Sequence, residues 1–442
     1  MSDSSHRSPL RHAELRRIVA GYTVNRLGTW FGFIALAVVV FDHTHEALAV
    51  AGLLIASQVL PALVVPGLVA RVEASTKRGE LTRLYLFEAV ATALLIVVVR
   101  WHFSLTAILL LVALDGTAAL AASSLLRAAA ARSARAWVRL DAAAQEPAEE
   151  PGPEQFAAAE RRANAAINIG FAVTFTAGPA LAGIVVPTLG VAAALLIDLC
   201  SFVICGALLV DLRPYVEDAE TETARARVKA AWRYIASART LRLLLITQAF
   251  AFVFFEFSPP IEVAYAKVSL HAGDEGYGIL LGVWGLGVAL GSAVFARSIE
   301  RSLRVLLSAS TFAVGFAYLG WTFAPTIAVA STVGFVGGIG NGVQWAALIS
   351  AVQRLTPEHM QGRLMSAVEA VGAIAPAFGY VLGSAITSLS SPRIALLVAG
   401  IGVTLATIMF IRIPIVAIAS RSASGESSEA PESLVDYAAP ST

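Results

Sequence analysis

Seven ionisable residues sit inside otherwise apolar stretches of the chain: Arg26, Glu88, Asp115, Asp198, Glu256, Glu262 and Glu369. A charged side chain at the centre of a bilayer costs about 2.5 to 3.5 kcal/mol on insertion scales, so each must face a cavity or hold a partner. The chemistry open to carboxylates there is proton carriage, because a carboxylate without water or a partner holds its proton more firmly. Arg26 is the one basic residue among them and the natural counter-charge. At about 1.5 Å per residue, Asp115, Asp198 and Glu256 come out roughly 17 to 21 Å deep, near the midplane of a core about 30 Å thick. Arg26 and Glu88 are shallower, and Glu262 falls at the outer mouth.

Aromatic and amide side chains accompany these charges at helical spacing. Tyr22, Arg26, Trp30 and Phe33 share one stripe; Gln248, Phe252 and Glu256 share a second; Asn341, Gln344 and Trp345 share a third. Stripes of aromatic residues with a few polar groups suit an amphipathic organic ligand, although aromatic stripes in membrane helices more commonly serve packing. Other chemistries lack their residues. There is no GxxxxGK[ST] phosphate loop, hence no built-in ATPase. His43, His45, His102, His271 and His359 fall in predicted loops without metal-ligand spacing. Cys200 and Cys205, five apart in one apolar segment, make neither a disulfide framework nor a metal site. No clustered His/Asp/Glu motif marks an enzyme, and neither a metal nor a cofactor is expected. A net charge of +1 gives no argument for nucleic acid.

The elements that must position these residues are membrane spans. Of the 442 residues 57% are hydrophobic and 14% charged, against about 25% charged in soluble domains. Apolar runs predict twelve helices, near 18–41, 47–70, 81–99, 103–126, 163–186, 188–210, 242–266, 276–296, 303–323, 326–352, 364–388 and 393–411. Basic residues test the count, since cytoplasmic loops collect Lys and Arg. Of the 32, all but Arg26, Arg100, Lys267 and Arg393 fall at the N-terminus, in or beside even-numbered loops, or in the C-terminal tail. Both termini are therefore expected in the cytoplasm, and the polar N-terminus shows no signal peptide. The reading is an all-α membrane protein: a cytoplasmic segment 1–17, a six-helix bundle over 18–210, a linker over 211–241, a second bundle over 242–412 and a disordered tail over 413–442. RAAAARSARAWVRL, after span four, reads as a surface-lying helix. ARVKAAWRYIASARTLR in the linker reads as an amphipathic one suited to an anionic membrane surface.

Several segments together resemble the major facilitator superfamily, within it the bacterial efflux branch that includes macrolide efflux proteins and siderophore exporters. They are RLGTW and LPALVVPGLVAR in spans one and two, RRANAAINIGFAVTFTAGPALAG in span five, WRYIASARTLRLLL before span seven, GYGILLGVWGLGVALGSAVFAR in span eight, and GIGNGV with RLTPEHMQGRLMSAVEA across spans ten and eleven. The resemblance covers nearly all of 15–412. It implies the major facilitator fold, with spans 1, 4, 7 and 10 lining a central cavity and 3, 6, 9 and 12 peripheral. That ordering brings Arg26, Asp115 and Glu256 forward as proton-coupling residues and moves Glu88 and Asp198 back.

GFAVTFTAGPALAG is similar to the superfamily's antiporter motif, carried here by Gly170, Gly178, Pro179 and Gly183. After span two the pattern departs: Gly67 is kept, Arg71 stands at the usual acid's place, and Glu369 in span eleven becomes its candidate partner at a cytoplasmic gate. Relatives often place an acid in span one and an arginine in span four; here the polarity is exchanged, so Arg26 and Asp115 are expected to pair in one state of the cycle. The implied activity is export of a small amphipathic organic compound in exchange for protons, by a monomer in a bacterial cytoplasmic membrane. A proton-coupled importer of the same fold, or a non-transporting membrane sensor, is the alternative.

Overall fold

The computed structural model describes residues 12–64, 79–143, 151–210, 212, 232–298, 301–356 and 358–413, with side chains for all of these except 172, 358–363, 365–371 and 373. Its regular structure is helical. Twelve long stretches follow one another: α1 (Ala13–Thr44), α2 (Ala47–Val64), α3 (Glu80–Trp101), α4 (Leu105–Ala143), α5 (Pro153–Leu189), α6 (Val191–Leu208), α7 (Arg239–Ser269), α8 (Gly273–Arg297), α9 (Leu303–Phe323), α10 (Ile327–Arg354), α11 (Glu358–Leu389) and α12 (Pro392–Arg412). Among the described residues eleven of these are long and apolar enough to cross a membrane, and the continuous part of α11 whose side chains are described, Ile374–Leu389, is apolar as well.

Helices α3, α9 and α12 lie within two residues of their predicted ends. Helix α4 does not: the Ala/Arg-rich segment continues it to Ala143 instead of forming a separate surface helix. Alanine and arginine are among the best helix formers, and no glycine or proline interrupts the run. Its far end is packed, with Ala130 and Ala134 buried in one cluster with Leu15, Ile18 and Ala163. Helix α5 begins at Pro153, ten residues before the predicted start, with proline in the first turn where its missing N–H costs nothing. An ion pair between Arg135 and Glu160 ties the two extensions together.

Helix α7 carries a break that hydropathy did not signal. It runs from Arg239 to Phe255, leaves helical geometry at Glu256, turns through Phe257 and resumes at Ser258. Pro259 and Pro260 are the cause, since neither can donate to the carbonyl four residues earlier. The carbonyl of Phe255, so released, accepts a hydrogen bond from the Tyr318 hydroxyl at 3.0 Å.

Helix packing has two ends of different character. Short connections at 45–46, 102–104, 190, 270–272, 324–326 and 390–391 join odd to even helices at one end of the molecule, here termed the odd-loop end. Near that end a single apolar cluster takes in Ile34 and Val38 of α1, Leu53 of α2, Val186 of α5, Ile261 and Tyr265 of α7, Tyr277 of α8 and Leu396 of α12. Toward the opposite, even-loop end the apolar core divides. One cluster belongs to α1, α3, α4, α5 and α6 with Leu212; the other belongs to α7, α9, α10, α11 and α12, with Ile235 before α7 and Ile413 after α12. Helices of the first six meet those of the last six at α5 with α8, α2 with α7 and α11, and α1 with α7. Residues 1–11, 213–231 and 414–442 lie outside the described residues, and with them the first six residues of the predicted linker helix and nearly all of the tail; the rest of that linker segment is helical over 232–237 and again from Arg239, where α7 begins.

Candidate functional site

The residues that could do chemistry fall into two groups, one in each set of six helices. In the second set, Gln248 and Phe252 of α7 and Asn341, Gln344 and Trp345 of α10 line one cavity, closed from α9 and α12 by Val314 and Val403. Its enclosed volume of about 20 Å³ is room for a single water molecule and not for an organic substrate. Gln344 donates from Nε2 to Thr311 Oγ1 at 2.9 Å, so its amide holds α10 to α9. Trp345 is 47% exposed and meets the Phe252 ring at 6.0 Å between centroids. The Gln248 Oε1 atom is buried without a hydrogen-bond partner.

Glu256 stands one turn beyond Phe252, at the break in α7. The Tyr380 hydroxyl of α11 acts on its carboxylate. Glu262, expected at the outer mouth, is buried, and the Ser258 hydroxyl donates to its carboxylate. Helix α11 approaches this break through two glycines. A Cβ on Gly379 would lie 2.5 Å from the Val253 carbonyl and 2.7 Å from Glu256 Cβ, and one on Gly383 would lie 2.8 Å from Phe257 Cα. The backbones can meet because nothing projects between them.

In the first set the predicted stripe of α1 splits. Tyr22 is buried among Leu81, Tyr85 and Ile167, under the guanidinium of Arg127. Arg26, Trp30 and Phe33 turn toward α5 or the seam. The guanidinium of Arg26 lies 5.4 Å from the Phe171 ring centroid, and Trp30 meets Phe33 and Phe175 edge to face at 5.9 and 5.4 Å. Arg26 Nε has no hydrogen-bond partner, and among the described residues no carboxylate pairs with Arg26. The expected ion pair with Asp115 is not formed in this state; an aromatic face takes the carboxylate's place.

Asp115 Oδ1 is buried without a partner, and so are both oxygens of Glu88 and Oδ1 of Asp198. The charged neighbours that act on Glu88 are Asp115 and Asp198, so α3, α4 and α6 bring three carboxyls into one enclosed region. Placing Glu88 and Asp198 on peripheral helices hid this. Asp198 enters because α1 offers a notch: a Cβ on Gly32 would collide with its carboxylate, and one on Gly28 would collide with Ser201. The GTWFG spacing of those glycines was the available signal, since small residues four apart admit a neighbouring helix.

The motif glycines of α5 divide their contacts between two helices. Gly170 would place a Cβ 2.5 Å from Thr23 Oγ1, and Gly178 would place one inside the Trp30 ring, so both receive α1. Gly183 meets Gly278 of α8 backbone to backbone. Pro179 leaves the Phe175 carbonyl without its helical donor, and that oxygen lies 2.9 Å from where a Cβ on Gly285 would stand. Thr176 adds a hydrogen bond to the Gly285 carbonyl at 3.3 Å. Gly67 and Arg71 lie outside the described residues, as does the side chain of Glu369 on α11.

Two basic residues that broke the topological pattern have specific work at the odd-loop end. Lys267 of α7 forms ion pairs with Asp42 at the end of α1 and Asp274 at the start of α8. Arg393 of α12 donates to the carbonyls of Thr322 and Ala324, each at 2.8 Å, and of Ser269 at 3.2 Å. Sequence reasoning singled out neither for this, because nothing local to them names their partners.

A sequence profile of the family described as transmembrane secretion effector matches residues 4–440. No curated protein matches at the sequence level. Among solved structures, the nucleoside transporter NupG is similar at a TM-score of 0.66 and 11% identity, over 90% of this chain and 98% of that one. A bacterial homologue of the iron transporter ferroportin in an inward-facing state is similar at 0.64 and 16%, over 92% and 99%. A bacterial homologue of the human lysosomal transporter Spinster, inward-facing and unoccupied, is similar at 0.64 and 12%, over 92% and 97%. At these identities the likeness is one of fold.

Proposed function

Because the chain belongs to the transmembrane secretion effector family of the major facilitator superfamily, and so is a multi-pass membrane transporter, we propose that it exports a small amphipathic organic compound by alternating access in exchange for protons. The observation that carries this reading is the apolar core, joined across both sets of helices at the odd-loop end and divided at the even-loop end. Two six-helix bundles rocking about a site at mid-depth would alternate between this arrangement and its converse. With the even-numbered loops in the cytoplasm, as their Lys and Arg content favours, the present state is open inward and closed outward. The carboxyls at depth, Asp115 with Glu88 and Asp198 on one side and Glu256 on the other, supply sites for the driving proton. Export is supported by the packing of Gly170, Gly178, Pro179 and Gly183, which close α5 onto α1 and α8 as an antiporter-like motif should. The protein works as a monomer in a bacterial cytoplasmic membrane, with Trp345, Phe252, Trp30 and Phe33 meeting the substrate's apolar part.

The test is accumulation of a panel of amphipathic antibiotics and siderophores in cells with and without the protein, each with and without a protonophore. Lower accumulation that the protonophore abolishes supports the reading. Higher accumulation in expressing cells would make the protein an importer, and indifference to the protonophore would remove the proton.

A further inference from the structure

Two guanidinium groups share a patch of aromatic rings where α1, α4 and α5 meet. Arg26 of α1 lies over the Phe171 ring at 5.4 Å, and Arg127 of α4 lies over the Tyr22 ring at 5.9 Å. Tyr22 and Arg26, four residues apart, share one face of α1. That face meets α5 at Gly170, where a Cβ would stand 3.6 Å from Tyr22 Cδ1, and Phe171 is the next residue in the chain. Further rings run inward from the cations: Phe171 meets Phe175 at 5.7 Å, and Phe175 meets Trp30 at 5.4 Å. The patch is open toward the even-loop end. The Phe175 carbonyl still backs onto α8 at Gly285, whereas Phe171, one turn nearer that end, is 39% exposed, and Arg127 is exposed as well.

Among the described residues neither guanidinium pairs with a carboxylate. An aromatic face stabilises a cation but accepts none of the hydrogen bonds that lie in the guanidinium plane, and Arg26 Nε is buried without an acceptor. The acids of these helices are elsewhere. Glu14 pairs with Arg132 and Glu160 with Arg135. Asp115 stands about 18 Å from Arg127 along α4. Asp198 lies behind α1, because Gly28 and Gly32, which admit Ser201 and Asp198, point roughly 160° and 120° away from Arg26 round the helix. The charged neighbour that acts on Arg26 is Arg127, a like charge.

We propose that this patch is the acid-binding end of the transport site: the exported compound is an organic anion, its oxyanion group held by Arg26 and Arg127 and its flat apolar part laid along Phe171, Phe175 and Trp30. The inference rests on the export reading above and names the class of its substrate. A guanidinium presents a planar fork of N–H donors that matches two oxygens of a carboxylate, sulfonate or phosphate. Two unpaired cations in a partly desolvated site repel each other, and an entering anion removes that repulsion and supplies the missing acceptors together. A cationic amphiphile meets the reverse, two like charges and no acceptor, so the same pair rejects it.

The experiment titrates three probes by calorimetry into the full chain in phosphatidylcholine nanodiscs: naphthylacetate, its methyl ester, and naphthylmethyl-trimethylammonium, which share an apolar body and differ in charge. The parent should bind the acid about tenfold more tightly than the ester, and the ammonium least. Arg26→Gln should weaken the acid by about that factor and leave the ester unchanged, which erases the preference. Arg26→Lys keeps the cation and should keep part of it. Arg127→Gln should weaken the acid less, because its charge is better solvated. Monodisperse elution and the parent's helical circular dichroism establish that each variant is folded. Equal binding of acid and ester by the parent, no binding of the acid, or a preference that survives Arg26→Gln and Arg127→Gln together overturns the assignment. An anionic lipid headgroup offers the same oxyanion. If phosphatidylglycerol in the nanodisc abolishes binding of the acid, the arginines hold lipid and the substrate assignment is overturned; binding that persists supports it. Calorimetry needs no gradient, so the two readings fail separately. If the acid binds as expected but expression leaves its accumulation in cells unchanged, export fails and the site stands. If expression lowers accumulation of neutral or cationic amphiphiles and the acid does not bind, the site fails and export stands.

Discussion

Gly183 of α5 and Gly278 of α8 touch backbone to backbone: a Cβ on either would collide with the Cα of the other. This contact joins one helix from each set of six. Ala180 extends it toward Gly282, where a Cβ would lie 2.8 Å from Ala180 Cβ. Substitution there acts on the relative placement of the two sets more than on either alone. Gly183→Val should therefore leave a protein that inserts but transports at a few per cent of the parent rate. Overpacking of this kind costs about 1 to 3 kcal/mol, seen as a lowered unfolding temperature in detergent. A fully active Gly183→Val protein would mean that α5 and α8 separate freely.

Lys267 links α1, α7 and α8 at the same end. Ion pairs with this much solvent contact contribute at most about 1 kcal/mol, so Lys267→Gln should not unfold the protein. It should shift the balance toward the state open at the odd-loop end, by up to roughly fivefold at about 1 kcal/mol. Labelling of a cysteine at Val38, buried in that apolar cluster, would report the shift. A decrease in labelling would show that Lys267 favours the open state instead.

If Glu256 carries the driving proton, Glu256→Gln should abolish efflux against a gradient while preserving exchange of labelled for unlabelled substrate across vesicles. Exchange requires the conformational cycle but no net proton movement. Loss of both activities would place Glu256 in substrate binding or folding. Retention of both would move the proton site to the Asp115 region.

The notch in α1 predicts opposite effects from two conservative changes. Gly32→Ala drives a methyl group into the Asp198 carboxylate and should cost about 1 to 3 kcal/mol. Glu88→Gln replaces a buried, unpartnered carboxyl with an uncharged group of the same shape. Its thermal stability should match or exceed the parent's, because a carboxyl buried without a partner costs least when uncharged, and the amide is uncharged at every pH. A Glu88→Gln protein several degrees less stable would mean that Glu88 has a partner the present state does not form.

Much of the helix order was legible because each span is a local property: about twenty apolar residues in a row, ended by Gly, Pro or charge. The antiporter-like glycines of α5 were legible for a similar reason, since their spacing specifies a smooth helix face. Their partners were not. Nothing in GPALAG names Gly278, and nothing around Asp42 names Lys267, because both contacts join residues far apart in sequence. The polarity of Arg26 was readable, but an arginine satisfied by Phe171 looks the same in sequence as one satisfied by Asp115. The break in α7 was written plainly as SPP, yet an apolar window passes over it: proline interrupts hydrogen bonding without lowering hydropathy enough to end a span.

By donating to carbonyls at the end of α7 and on either side of the α9 terminus, Arg393 fastens two separate pieces of chain to the start of α12. Any motion at that face must then carry these pieces as one plate, with no loop refolding on the way. The moving parts reduce to a rigid lid and its rim, and the rim is the ionic contact of Lys267 with Asp42 and the glycine seam of α5 with α8. An additive that wedges beneath such a lid would lock the transporter without ever reaching its substrate site.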